Sequence, residues 1–267
     1  MKIHALTTGH VRLKHSFLFP RHHGRRRRLD LHRRGPFSRP LPIHCWAIEH
    51  DGVLRLVDSG ETATARDFAF ARFEVTPEQE LPGAMAAAGL ELEDVSEVVL
   101  THLHGDHLHG CVHVRAPVLV HEVDLRAATT RRARIGRRLL REPLPAGFAP
   151  RPFALDGGPF GAFPRSRALT EDGRIVVVDT RGHTAGHVSV ICVDDSGRHV
   201  LLAGDVTDSL EQLYARRSDA IAPDPALHLA TLDTVLAHLE QHPTIYLPSH
   251  DPGSAARLAG GITERHH

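Results

Sequence analysis

Four polar side chains fall within six residues in the run Thr101-His102-Leu103-His104-Gly105-Asp106-His107: His102, His104, Asp106 and His107. Neutral imidazole and carboxylate are ligands that zinc and related divalent ions favour. Histidines at i and i+2 can turn a pair of rings toward one ion. The aspartate and histidine at i+4 and i+5 can face a second position nearby. The run follows the apolar stretch SEVVL (96–100) directly, so it is expected on a tight loop leaving a strand end.

Three further segments put candidate ligands where a strand is expected to stop. His183 lies in Gly182-His183-Thr184-Ala185-Gly186-His187, after the stretch 174–180. Asp205 closes Ala203-Gly204-Asp205, and His250 follows the stretch 244–248. The chain holds 23 histidines, so any one of these alone would carry little weight. Four strand-end sites in succession point to a shared cluster, because α/β proteins gather their functional side chains there.

The elements that must position these residues are legible in outline. Strands are expected at 2–7, 43–50, 53–60, 96–100, 116–122, 174–180, 188–194, 199–205 and 244–248. Asp51-Gly52 between the second and third is a two-residue hairpin signal, since both turn positions want positive φ. A helix is expected from Thr76-Pro77 through 83–90, a basic helix over 123–141, and further helices over 208–217 and 225–241. Residues 14–42 are rich in Arg, Pro and Gly and form an expected excursion loop, with the Arg-rich segment 21–34 inside it. Residues 142–170 are expected to be irregular. Strands first and helices later in both halves suit two packed sheets with helices outside, in a single domain over 1–267.

Composition sets limits. Lys and Arg total 32, as do Asp and Glu, and this zero balance does not suit a nucleic-acid binder, so no nucleic-acid partner is expected. No apolar run approaches the roughly 18–20 residues needed to cross a bilayer, so no membrane partner is expected. The start, MKIHALTTGH, lacks the apolar core of a signal peptide, and a cytoplasmic location is the expectation. Cys45, Cys111 and Cys192 are odd in number and far apart, which fits reduced structural residues. His266 and His267 read as a tag-like or disordered end.

The order HxHxDH, then GHTxGH, then GD, then a final His resembles the metallo-β-lactamase superfamily over nearly the whole chain. That resemblance implies a four-layer αββα sandwich of two mixed sheets. It assigns His102, His104 and His183 to one metal, and Asp106, His107 and His250 to a second, with Asp205 bridging both. Asp106 would also relay a proton. Asp58, in VDSG, is similar to the aspartate that orients a ligand imidazole; a turn residue capping a strand is the other reading. The implied cofactors are two zinc ions, other divalent transition metals being alternatives. The implied reaction is attack by a metal-bridging hydroxide on a carboxylic ester.

Within the superfamily, GHTAGH and SHD are most similar to N-acyl-homoserine lactonases and glyoxalase II-type thioesterases. A lactone is the expected small-molecule substrate, with a thioester and a tRNA-type phosphodiester as alternatives. Two departures concern the substrate. Asp208 stands where those lactonases carry a Tyr, and His109 stands where the superfamily carries a Gly. The bridging Asp205 argues against a true β-lactamase, and the full ligand set argues against a non-enzymatic binding protein. The 14–42 excursion is expected to form the substrate-side wall and a homodimer contact.

Overall fold

The computed structural model describes residues 1–22, 24–140 and 142–264. Two compact units make up the chain: Met1–His15 with Arg34–Phe153, and Ser16–Arg33 with residues from Ala154 onward.

The first unit is built on a seven-stranded mixed sheet. Its strands are β1 (Lys2–Leu13), β2 (Leu41–His50), β3 (Val53–Val57), β4 (Ala71–Glu74), β5 (Val95–Leu100), β6 (Val118–His121) and β7 (Arg151–Phe153), in the order β4-β1-β2-β3-β5-β6-β7. From β3 onward the pairings are parallel; the others are antiparallel. Asp51 and Gly52 turn β2 into β3 at φ 50° and 73°, as the dipeptide predicts. Val98, Val99 and Leu100 of β5 are wholly buried, as a strand covered on both faces requires.

A single turn, α1 (His15–Leu18), leaves β1, and α2 (Leu81–Ala87), α3 (Gly105–Leu108), α4 (Glu122–Ala128) and α5 (Arg131–Leu140) follow. Leu81 and Met85 of α2, four apart on one face, pack into a core with Leu6, Leu56, Val98 and Leu100. Burying side chains of this size stabilises the unit by roughly 1.5–3 kcal/mol each.

Two helices depart from expectation for local reasons. The helix expected from Thr76 splits into a 3-10 turn (Pro77–Gln79) and α2. Pro82 has no N–H and would clash with a carbonyl inside a continuous helix, but it is tolerated in the first turn of α2. The basic helix expected over 123–141 breaks into α4 and α5. There the Thr129 hydroxyl bonds back to the Leu125 carbonyl, and Thr130 Oγ1 caps the N–H of Ala133. Arg141, the last residue of that expected helix, lies outside the described residues, as do His266 and His267.

The second unit holds a five-stranded mixed sheet in the order β12-β11-β10-β9-β8. The strands are β8 (Ser166–Ala168), β9 (Ile175–Asp179), β10 (Val188–Val193), β11 (His199–Gly204) and β12 (Thr244–Pro248). Between β11 and its parallel partner β12 run α6 (Leu210–Tyr214) and α7 (Pro225–Gln241), and α8 (Ser254–Gly260) follows β12. Asp224 caps α7 by accepting from the N–H groups of Ala226 and Leu227. Leu232, Val235, Leu236 and Leu239 form its buried stripe, against Val176, Val178, Leu201 and Tyr246.

The 14–42 excursion is not without structure. It carries α1 and 3-10 turns over Gly24–His32, and β2 begins within it at Leu41. Residues 16–33 belong to the second unit. There Arg27 is buried and donates to the Ala222 carbonyl, while buried Asp30 accepts the N–H groups of Arg21 and His22. Phe17 and Leu18 are buried, whereas Phe19 and Leu29 are exposed. The stretch 142–170, expected to be irregular, supplies the short strands β7 and β8. All three cysteines are free and buried, as the sequence suggests.

Candidate metal centre

In the first unit, β5 ends at Leu100 and α3 starts at Gly105, and the intervening loop carries His102 and His104. His102 Nε2 lies 2.9 Å from His104 Nδ1, so one nitrogen of each ring converges. The His107 ring stands 4.1 Å from that of His102, centre to centre, and its Nε2 is 3.9 Å from Asp106 Oδ1. His102 and His107 are buried; His104 and Asp106 are half-buried.

Asp58 fixes this loop. It sits just after β3 at φ 62°, a left-handed conformation that aspartate tolerates better than most residues. Its carboxylate accepts the Thr101 N–H at 2.7 Å, the Thr101 hydroxyl at 2.9 Å and His107 Nδ1 at 2.8 Å. Holding Nδ1 in this way leaves Nε2 of His107 as the nitrogen that a metal would use. Asp124 and Glu142 accept the N–H groups of Leu103 and Gly105, and Arg137 donates to the Leu103 carbonyl.

The second unit carries the other candidates at the ends of β9, β11 and β12. Asp205 stands between two histidines: its Oδ2 is 3.4 Å from His183 Nε2, and its Oδ1 is 3.4 Å from His250 Nε2. His183 Nδ1 is bonded to Asp219 Oδ2 at 2.8 Å. Burial disfavours the charged forms of both partners. The ion pair outweighs that, raising the His183 pKa and holding Asp219 well below the usual carboxylate range. His187 Nε2 accepts the Asp205 N–H, and His228 Nε2 donates to the Val206 carbonyl. Gly182 has φ 152°, and a Cβ there would lie 2.5 Å from the Cα of His228, so the motif's first residue has to be glycine.

The donor set fits a divalent transition metal. It consists of imidazole nitrogens and carboxylate oxygens, without thiolate. The edge of a tetrahedral zinc site with bonds near 2.0–2.1 Å runs about 3.3 Å. The contacts of 2.9 Å and 3.4 Å within each half bracket that value.

Burial, and then the charge of Asp205, raise the Asp208 pKa to about 7. The Tyr214 hydroxyl donates to Glu264. His109 is not grouped with the ligands; its Nδ1 bonds Glu61 at 2.7 Å. Both line a cavity of about 610 Å³ in the first unit, with Phe68, Phe73, Arg138 and Leu144.

Sequence reasoning did not find Asp219, Asp124 or Glu142. Each acts on a loop more than 20 residues away and sits in no motif of its own. His187 was visible as the last residue of GHTAGH, but its role as acceptor for Asp205 was not.

A metallo-beta-lactamase superfamily model matches residues 38–250. Comparison with curated proteins gives no match. Among solved structures, the chain is similar to an N-acyl homoserine lactone hydrolase with N-hexanoyl-L-homoserine at its catalytic metal center. The TM-score is 0.74 at 19% identity, covering 96% of this chain and 95% of that one. An AiiA variant from B. thuringiensis with N-decanoyl-L-homoserine bound gives the same four values. AidC, a dizinc quorum-quenching lactonase, matches with a TM-score of 0.65 at 15% identity, over 94% of this chain and 87% of that one. At these identities the likeness shows the fold. The two mixed sheets with helices are those of that fold, and the chain belongs to the metallo-β-lactamase superfamily.

Proposed function

We propose that the chain is a dinuclear metal-dependent hydrolase that opens a carboxylic ester, a lactone before a thioester. The observation that carries this reading is the placement of Asp205, with one carboxylate oxygen toward His183 and the other toward His250. A carboxylate set in this way between two imidazoles suits a bridge between two ions.

In this reading the chain is a single domain over 1–267. His102, His104 and His183 hold one ion, Asp106, His107 and His250 hold the other, and Asp205 serves both. The family match supports this by running through all seven positions. Two divalent cations, zinc by preference, would supply Lewis acidity toward a carbonyl and bring the pKa of water near 7. Asp58 and Asp219 orient His107 and His183. Asp106 takes up the proton lost by the attacking water and returns it to the leaving alkoxide oxygen. The apolar side chains Phe68, Phe73 and Leu144 offer a wall for the substrate's hydrocarbon part.

Elemental analysis of gently purified protein, followed by a panel of lactones, thioesters, aryl esters and phosphodiesters, tests this. Two transition-metal ions per chain and proton release from a lactone are expected. One metal or none after adding zinc removes the dinuclear reading. Phosphodiester cleavage without ester turnover moves the chain to the nuclease branch. A homodimer contact through the 14–42 excursion is a separate expectation, read by gel filtration.

A further inference from the structure

α5 carries five arginines and no acid in its ten residues, and its apolar side chains Ile135 and Leu139 face outward. At about 100° per residue its residues divide into two faces. The outer face holds, in angular order, Arg134, Arg138, Arg131, Ile135, Leu139 and Arg132, all exposed. Leu139 is 79% exposed and Ile135 is 52% exposed. The opposite face, with Ala133, Gly136 and Arg137, is half-buried. Arg137 anchors it by donating to the carbonyls of Leu103 and Glu142. The outward stripe is therefore the result of a pinned helix. Among the described residues, Arg131, Arg132, Arg134 and Arg138 make no ion pair or side-chain hydrogen bond.

A helix packed only on its own unit would bury Ile135 and Leu139 and expose the small residues. Here an i, i+4 apolar pair sits between flanks of unpaired arginine. A nucleic acid would neutralise the arginines but leave both apolar side chains in water. A second copy of the same face would set arginine against arginine across a two-fold axis. A layer of anionic headgroups over acyl chains satisfies both kinds of residue.

We propose that α5 docks on an anionic phospholipid surface. Ile135 and Leu139 enter the boundary between headgroups and acyl chains, and Arg131, Arg132, Arg134 and Arg138 meet lipid phosphates. Among the described residues no helix is long and apolar enough to cross a membrane, and α5 lies on the surface. Arg138 also lines the 610 Å³ cavity of the first unit, so the docked helix brings that cavity to the lipid.

Co-sedimentation of the full chain with vesicles tests this. Vesicles of phosphatidylcholine with about a third phosphatidylglycerol should carry the protein down at low salt, and phosphatidylcholine alone should not. Salt at about 0.5 M should weaken the binding. Ile135→Asp with Leu139→Asp should cut it at least tenfold, with an unchanged thermal melt because both positions are exposed. Leu139→Trp gives a second reading: its emission should shift to the blue on phosphatidylglycerol vesicles. Absence of binding to the anionic vesicles overturns the proposal. So does binding that the Asp pair leaves intact, or retention on an oligonucleotide duplex without retention on vesicles.

Discussion

Asp58 and His107 are 49 residues apart in the chain, and their side chains meet at 2.8 Å, both buried. The same carboxylate takes the N–H and hydroxyl of Thr101, so one residue sets both the start of the loop and the ring at its end. Asp58→Asn separates charge from shape, since Asn also tolerates the left-handed backbone at this position. Loss of the carboxylate should weaken metal binding by about 10–100-fold. It should also cost about 1–3 kcal/mol of stability. Competition with a chromophoric chelator reads the first and urea unfolding of the metal-free protein reads the second. Unchanged metal affinity would return Asp58 to the role of a turn residue.

Asp219 does for His183 what Asp58 does for His107, from 36 residues further along the chain. In the proposed assignment the two histidines belong to different ions. Asp219→Asn should therefore weaken one ion and Asp58→Asn the other, each by about 10–100-fold. Stepwise metal titration with cobalt as a visible probe separates them. If both variants lose the same single site, the assignment of ligands to ions is wrong.

The parts of the site that were legible in the sequence are those with local causes. HxHxDH and GHTAGH announce themselves because their residues sit on one loop. Asp51-Gly52 announces the hairpin because two residues with positive φ suffice to make it. Asp219 could not be read because its partner is set by packing of distant elements, and Asp124 and Glu142 share that reason. Among elements, α7 and β12 were legible to the residue, having a cap, a proline or a clean apolar run. The three-residue strands β7 and β8 are too short to show alternation. The outward turn of Ile135 and Leu139 was not legible either, because Arg137, through its bond to the Leu103 carbonyl, pins the other face of their helix.

Acid sensitivity should come in part from two buried rings of the second unit. His199 Nδ1 and His238 Nε2 are 3.0 Å apart, and the His199 ring stacks on His242 at 4.5 Å. Burial first, and then neighbouring imidazoles, lower the His199 pKa to about 4 and the His238 pKa to about 3. An unfolded histidine titrates near 6.5, so below that pH the unfolded chain binds more protons and stability falls. The loss runs on until the pH reaches the folded values, at up to roughly 1.4 kcal/mol per pH unit for each ring. The melting temperature with chelator present should drop between pH 7 and pH 5. His199→Gln with His238→Gln should flatten that slope; an equal slope in the variant counts against the assignment.

Gly182 opens the GHTAGH motif, and its place there follows from geometry. At φ 152° an L-residue is strained, and the added Cβ would press on the backbone of His228. His228 cannot yield cheaply, because its ring bonds both the Ser218 hydroxyl and the Val206 carbonyl. Gly182→Ala should cost about 1–3 kcal/mol from overpacking alone. The displacement falls on His183, the next residue, and on its bond to Asp219. The variant should therefore lose stability and metal affinity together, whereas an exposed glycine such as Gly197, with nothing near its Cβ position, offers a control for backbone strain alone. Gly197→Ala, also at positive φ, should lower the melt without touching metal affinity. If Gly182→Ala behaves in the same way as this control, close packing against His228 does not set the position of His183.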